Sequence, residues 1–251
     1  RNLKLLYETP EELSVNGSFS TNNLKRTLKD AVESGRTTLT EVEAKQFLDS
    51  YNIPTSKTLV AESADEAVDI ASEIGYPVVL KIHSKDITHK TDVGGVKLNL
   101  SSEEDVRQAY SKILERAREE KPSANIEGVT VQKMFQDVDY ELLLGSNKDP
   151  IFGSVMMFGR GGTGVELYKD TVAGFPPLNQ VLAHRMMEDT NIYELLKGYR
   201  GDSGANIREI EENLVRFSQM IIDFPEIKEI DINPLAVVNG GLKALDARII
   251  V

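Results

Sequence analysis

Apolar residues along this chain recur at two spacings, and the spacing switches repeatedly. Behind a Thr40-x-x-Glu43 capping box, Val42, Phe47, Leu48 and Tyr51 give a helical face that Asn52-Ile53-Pro54 brings to an end. A second box, Ser63-x-x-Glu66, opens a segment with Ala67, Val68, Ala71 and Ile74 on one side and Gly75 at its close. Ser101 or Ser102 opens a third, with Val106, Ile113, Leu114 and Ala117 facing inward. Strands are predicted between these helices, near residues 57–61, 76–83, 95–100 and 128–135. The pattern then repeats in a second lobe, with strands predicted at 140–144, 154–158 and 165–168 and helices at 178–187, 190–197 and 206–223, the last capped by Asn206 with Glu209 three residues on. The chain closes with EIKEIDINPLAVV, an Asn-Gly-Gly turn and LKALDARIIV, which reads as a hairpin.

Residues 1 to about 38 read as a connector, with a short helix in NLKLLYETPEEL, a polar linker in SVNGSFSTNN and a helix in LKRTLKDAVESG that ends at Gly35. The chain starts at Arg1 rather than Met, which suggests a piece of a longer protein or a processed chain. The composition, 40% hydrophobic and 27% charged, is that of a folded soluble protein, with no run long enough to span a bilayer and no signal peptide. Cysteine is absent, which excludes a disulfide framework and thiolate metal sites and fits a reducing compartment. Forty acidic against 29 basic residues give a net charge of −11, the opposite of the usual nucleic-acid binder, so an anionic ligand needs a local positive site.

Several stretches offer chemistry, each beside a plainer reading. FGRGGTG matches G-x-G-x-x-G, but the strand-like VELYKD follows where a dinucleotide site needs a helix. It reads either as a tight glycine turn or as bare backbone amides approaching an anion. On the last hairpin, Asp231 and Asn233 share a face, and counting outward from Asn239-Gly240 puts Asp246 opposite Asn233. These oxygens suit Mg²⁺, or they are solvent-facing residues on an alternating strand. Lys81 ends an apolar strand, where a lysine either snorkels or meets a phosphate. VQKMF reads as a strand leading to the second lobe, a hinge with backbone groups for a purine edge. Of three histidines, His83 reads as structural and His184 lies on a helix. His89 is either a surface residue or a phosphoryl nucleophile on a loop with Lys85, Lys90, Lys97 and the bend Gly94-Gly95.

In order along residues 36–251, VVLKIHSKDITHKTDVGGVKLNL, VQKMF, YELLLGSNKDPIFGSVMMFGRGG, LLKGYRG and DFPEIKEIDINPLAVV resemble the ATP-grasp domain of ADP-forming acyl-CoA synthetases of the acetate–CoA ligase type, relatives of succinyl-CoA synthetase. The resemblance implies an α/β (α+β) two-lobed ATP-grasp fold. Its small lobe would span about 52–130 and its large lobe about 131–251 with 36–51, after a 1–35 linker and tail of a preceding domain. It implies ATP or ADP and Mg²⁺ as cofactors, and CoA-binding and ligase domains as partners, fused or separate. An acyl-CoA would be the substrate, and the whole a cytoplasmic oligomeric enzyme without nucleic-acid or membrane binding. By position, His89 would be the phosphohistidine on a swinging loop, Lys81 a phosphate ligand, and Gly94 and Gly95 a loop closing over the phosphates. Gln132, Lys133 and Met134 would form the adenine hinge and Glu141 an acid at the nucleotide cleft. Asn233 and Asp246 would be Mg²⁺ ligands, and Asp231 the carboxylate that orients the phosphohistidine ring. Arg160 stands where an apolar residue is expected, and Thr163 and Gly164 are also unusual. The domains with the first histidine are missing, so this chain alone is not expected to complete acyl transfer. Two competing expectations are a regulatory nucleotide-sensing domain of a protein-acetyltransferase fusion, and a ligase that forms an acyl phosphate without a phosphohistidine.

Overall fold

The structure, a computed structural model, describes residues 21–162, 169–198 and 204–251. The helix and linker expected over 1–20, the strand at 165–168, Thr163, Gly164 and the end of LLKGYRG lie outside them. The described residues form two compact units, one of 29–44 and 56–137, the other of 21–28, 45–55, 138–162, 169–198 and 204–251. Among the described residues, no helix is long and apolar enough to cross a membrane.

Two helices come first, α1 (Asn22–Glu33) and α2 (Glu41–Ser50). Helix α1 buries Leu24, Leu28 and Ala31 along one stripe and stops at Gly35, whose φ of 75° suits a residue without Cβ, with Arg36 N–H donating back to the Ala31 carbonyl. It takes in Asn22 and Asn23, the last two residues of the expected linker. The Thr40 capping box forms in both directions: Glu43 N–H donates to Thr40 Oγ1 (3.3 Å) and Thr40 N–H to Glu43 Oε2 (2.7 Å).

In the first unit, strands β1 (Thr58–Ala61), β2 (Val78–Ser84), β3 (Val96–Leu100) and β4 (Ile126–Lys133) pair antiparallel in the order β1-β4-β2-β3, with helices α3 (Ala64–Ile74) and α4 (Glu103–Glu120) in the connections. Ser63 caps α3 and Ser102, rather than Ser101, caps α4. Val78, Leu80 and Ile82 of β2 and Val129 and Val131 of β4 pack with Val68, Ala71, Val106, Ile113 and Ala117 of the two helices into one core. By the two-residue period, Val79, Lys81, Thr130 and Gln132 take the other face, and all four are buried as well.

In the second unit, β5 (Tyr140–Asp149), β6 (Gly153–Arg160), β7 (Thr171–Gly174), β8 (Glu229–Val238), β9 (Gly241–Ala244) and β10 (Arg248–Ile250) make an antiparallel sheet in the order β10-β8-β5-β6-β7, with β9 also on β8. Helices α5 (Gln180–Glu188), α6 (Ile192–Leu196) and α7 (Ile207–Asp223) lie between β7 and β8 in the chain. Helix α7 buries Ile210, Leu214, Phe217 and Met220, and Phe224 beyond it packs edge-on against Phe47 and Tyr51 at 5.1 and 6.3 Å. The Tyr51 hydroxyl donates to Asp223 (2.6 Å). Strand β5 runs five residues beyond the 140–144 expected, and β7 is a strand the pattern did not announce.

The final hairpin keeps the expected register. Asn239 and Gly240, both at positive φ, make the turn, and Val238 pairs with Gly241 and Leu235 with Ala244. Strand β9 then ends, and β10 resumes with Arg248 opposite Asp231. The same count places Asp246 level with Asn233 in the gap. Every strand-to-strand ladder is antiparallel, so α+β is the class.

Ile113 is fully buried in the core of the first unit. Ile113→Ala is expected to lower the stability of that unit by about 2–5 kcal/mol in urea unfolding. A loss under about 1 kcal/mol would mean that α4 is not packed as described.

Candidate functional site

Lys81 sits in the middle of an apolar strand, on the face of the small sheet away from α3 and α4. An ammonium buried there needs an anion, and Glu41 supplies it. Glu41 is the first residue of α2, set by the Thr40 cap, and its carboxylate is almost wholly buried. Lys81 Nζ lies 2.8 Å from Glu41 Oε1 and Lys90 Nζ lies 3.0 Å from Oε2. One carboxylate thus meets two ammonium groups, and the helix N-terminus adds further positive potential beside it.

Lys90 belongs to the loop of residues 85–95 that joins β2 to β3. Ile87 and Val93 bury themselves in the core and pin both limbs of this loop. At its base, Ser84 Oγ donates to the Asn125 carbonyl and Asn125 N–H to Asp86 Oδ2, both at 2.7 Å. Gly95 N–H donates to the Lys90 carbonyl (2.8 Å), and a side chain at Gly95 would collide with Ile82 and that carbonyl. Gly94 takes a φ of 63° against the Arg116 side chain. His89, between the anchors, is exposed. His83, on β2, is held below the usual imidazole pKa by burial, against the pull of Glu127 at 3.5 Å, and so is neutral at pH 7.

At the end of β4, Gln132 is buried and its Oε1 accepts from Thr58 Oγ1 (3.2 Å). Lys133 Nζ donates to the carbonyls of Gly75 and Tyr76 (2.8 Å each), closing the end of α3, and Met134 N–H donates to the Pro77 carbonyl. The Lys133 ammonium and the Met134 amide are therefore committed to the fold.

In the second unit the glycines after β6 press onto β5. Gly161 N–H donates to the Glu141 carbonyl (2.8 Å) and Gly162 N–H to Asn233 Oδ1 (2.9 Å). A Cβ on Gly161 would strike the Leu142 backbone, and one on Gly162, at φ 81°, the Glu141 carboxylate. In FGRGGTG the Gly161 and Gly162 amides are thus spent within the protein, while Thr163 and Gly164 lie outside the described residues. Glu141, Arg160 and Gly161 line a cavity of about 360 Å³ with Asp139, Tyr140 and Ile192.

Beside Asn233, Asp231 is flanked by Gly145 of β5 and Arg248 of β10. Burial pushes its carboxyl above the usual range; Arg248 opposes this, while Glu229 and Asp246 reinforce it. Asp246 Oδ1 accepts from Ala247 N–H (3.0 Å). Asp231, Asn233 and Asp246 are hard oxygen donors, and a cation would relieve the repulsion between Asp231 and Asp246, a chemical fit for Mg²⁺. Among the described residues, no cluster of three or more His, Cys, Asp or Glu could hold a metal by itself.

Of the predicted residues, Lys81, His89, Gly94, Gly95, Gln132, Lys133 and Met134 lie in the first unit and Glu141, Asp231, Asn233 and Asp246 in the second. Glu41 and Arg248 were not among them. Glu41 had a signal, because it lies on the buried α2 stripe with Ala44 and Leu48 at helical spacing. Arg248 had none beyond the hairpin count.

An ATP-grasp domain model matches residues 30–251, and the chain belongs to that family. The chain is 41% identical to subunit beta of acetate–CoA ligase (ADP-forming) I of Pyrococcus furiosus, over 84% of this chain and 91% of that one. It is 40% identical to acetate–CoA ligase (ADP-forming) I of Archaeoglobus fulgidus over 96% of its own residues, but it spans only 34% of that protein's length. It is also similar to a solved acetyl-coenzyme A synthetase 1 of Ca. Korarchaeum cryptofilum in complex with coenzyme A and Mg-AMPPCP, whose phosphohistidine segment points towards the nucleotide binding site. The TM-score is 0.79 at 40% identity, covering 91% of this chain and 99% of that one.

The raised pKa of Asp231 makes a signed prediction. Between its unfolded value near 3.9 and its higher folded value, the folded state binds more protons, so stability falls as pH rises. Asp231→Asn is expected to raise Tm at pH 7 and leave it unchanged at pH 3. A lower Tm at pH 7 would mean that attraction to Arg248 outweighs burial.

Proposed function

We propose that this chain is the nucleotide-binding, phosphoryl-transfer part of an ADP-forming acyl-CoA synthetase. The observation that carries the reading is His89, exposed on a loop pinned at both limbs, with its neighbour Lys90 tied to the carboxylate that also holds Lys81. The likeness to a beta subunit of an ADP-forming ligase over nearly its whole length supports it.

In this reading, partner domains, fused or separate, convert acyl-CoA and phosphate to an acyl phosphate and CoA, and a partner histidine takes the phosphoryl group. His89 attacks the phosphorus, a new P–N bond forms and the partner's P–N bond breaks. A β-phosphate oxygen of ADP then attacks the phosphorus on His89. The P–N electron pair returns to the imidazole, and ATP and free His89 result. In sum, acyl-CoA, ADP and phosphate give a carboxylic acid, CoA and ATP. The partners, the acyl substrate and the oligomeric whole belong to this proposal, and its metabolites place it in the cytoplasm.

Lys81 neutralises phosphate charge, and Gly94 and Gly95 let the loop backbone turn tightly beside it. Gln132, Lys133 and Met134 present the adenine with main-chain carbonyls, since the Lys133 ammonium and Met134 amide are already used. Glu141 serves the nucleotide from the second unit, and Asp231 steadies the positive ring of phosphohistidine. Mg²⁺, held by Asn233 and Asp246, would supply charge neutralisation at the phosphate oxygens.

Incubation with Mg-ATP labelled at the γ-phosphate tests the carrier step without the partner domains. The wild type is expected to gain an acid-labile, base-stable phosphate that His89→Asn abolishes. Equal labelling of the variant, or an unlabelled wild type, would overturn the assignment.

A further inference from the structure

Glu41 has a part in this site that the phosphate-binding and carrier roles leave unassigned. Its carboxylate is buried at the start of α2, where one oxygen accepts a hydrogen bond from Lys81 (2.8 Å) and the other forms an ion pair with Lys90 (3.0 Å). The two ammonium groups therefore lie close together around one small anion. Lys81 stands on a rigid central strand, whereas Lys90 stands on the loop that presents His89, one residue away. A phosphate group carries more charge than a carboxylate and more acceptor oxygens, so an anion reaching Lys81 competes with Glu41 for both lysines.

We infer that Glu41 is a positioning residue that stands in for phosphate. In the empty protein it holds Lys81 extended and docks the His89 loop through Lys90. When nucleotide arrives, its phosphate displaces the carboxylate as the shared partner, and Lys90 carries the loop, and with it His89, onto the phosphate. This deepens the proposed function and rests on Lys81 being the phosphate ligand and His89 the carrier. Docking and nucleotide binding become one coupled equilibrium, in which loss of the competing carboxylate favours the anion.

Glu41→Gln is nearly isosteric and removes only the charge. The probe is the non-hydrolysable Mg-AMPPNP, and the reporters are the amides of Gly94 and Gly95, both hydrogen-bonded within the docked loop. In the empty protein these amides are expected to exchange about threefold or more faster in the variant, with Mg-AMPPNP restoring their protection and binding about 3–10-fold tighter than to wild type. Unchanged exchange, or weaker binding, would overturn the inference, because a carboxylate with a structural role alone predicts one or the other. Should Glu41→Gln fail to fold, Lys90→Met keeps the buried Lys81–Glu41 pair intact. It is expected to speed the same exchange without rescue by Mg-AMPPNP, and rescue would count against the inference. A wild type whose His89 is not labelled by ATP, but whose loop answers in this way, would fail the carrier reading alone. Normal labelling with an unresponsive loop would fail only the role of Glu41.

Discussion

A lysine ammonium buried on a sheet face is intolerable without an anion beside it, and that constraint orders the first unit. Taking an ion out of water costs several kcal/mol even after relaxation, and a single well-placed carboxylate offsets it only if its own geometry is fixed. Thr40 fixes that geometry by capping α2, so that Glu41 emerges from the first turn at the level of Lys81. The polar character of the whole face follows. Thr130 and Gln132, neighbours of Lys81 across β4, are buried and hydrogen-bonded. A face built only to hold a sheet on helices would have been apolar, as the opposite face is.

The second unit meets the converse problem, with negative charge in excess. Burial, with Glu229 and Asp246 close by, raises the cost of ionising Asp231, and Arg248 relieves only part of it. Gly145 beside Asp231 leaves that side of the strand without a side chain. The glycine turn after β6 seats itself on β5 and on Asn233 through backbone contact that no larger residue allows. Asp231 and Glu229 are thus held on a stiff strand, with Asp246 in the gap between β9 and β10, while the turn holds Asn233 in place.

Much of this was legible in the sequence, for reasons that can be named. Helix starts announced themselves through Thr40, Ser63 and Asn206, because a cap is a local hydrogen bond between residues three apart. The final hairpin could be counted across because Asn239-Gly240 fixes a two-residue turn and register then follows. What escaped depended on distance in sequence. Strand β7 pairs with β6 through contacts that four half-exposed residues do not advertise. Glu43 was legible as the capping-box acid, whereas the partners of its neighbour Glu41 lie 40 and more positions away. The Lys133 ammonium serves the end of α3, a contact that only the folded sheet creates.

The overall charge of −11 opposes an anionic ligand at long range, and the arrangement around Glu41 resolves the conflict. At physiological ionic strength, charges more than about 8 Å apart are largely screened, so the net charge governs approach far less than the nearest few groups do. Those groups include two ammonium groups on a buried, low-dielectric face, where charge acts more strongly than on the surface. Keeping a carboxylate there looks wasteful for affinity, since it repels the phosphate it must yield to. Its value lies in the empty state: without it, two ammonium groups would repel each other and scatter the loop, and each binding event would have to order them again. An internal anion that a stronger one replaces lets the chain keep a cationic site assembled while its surface stays acidic.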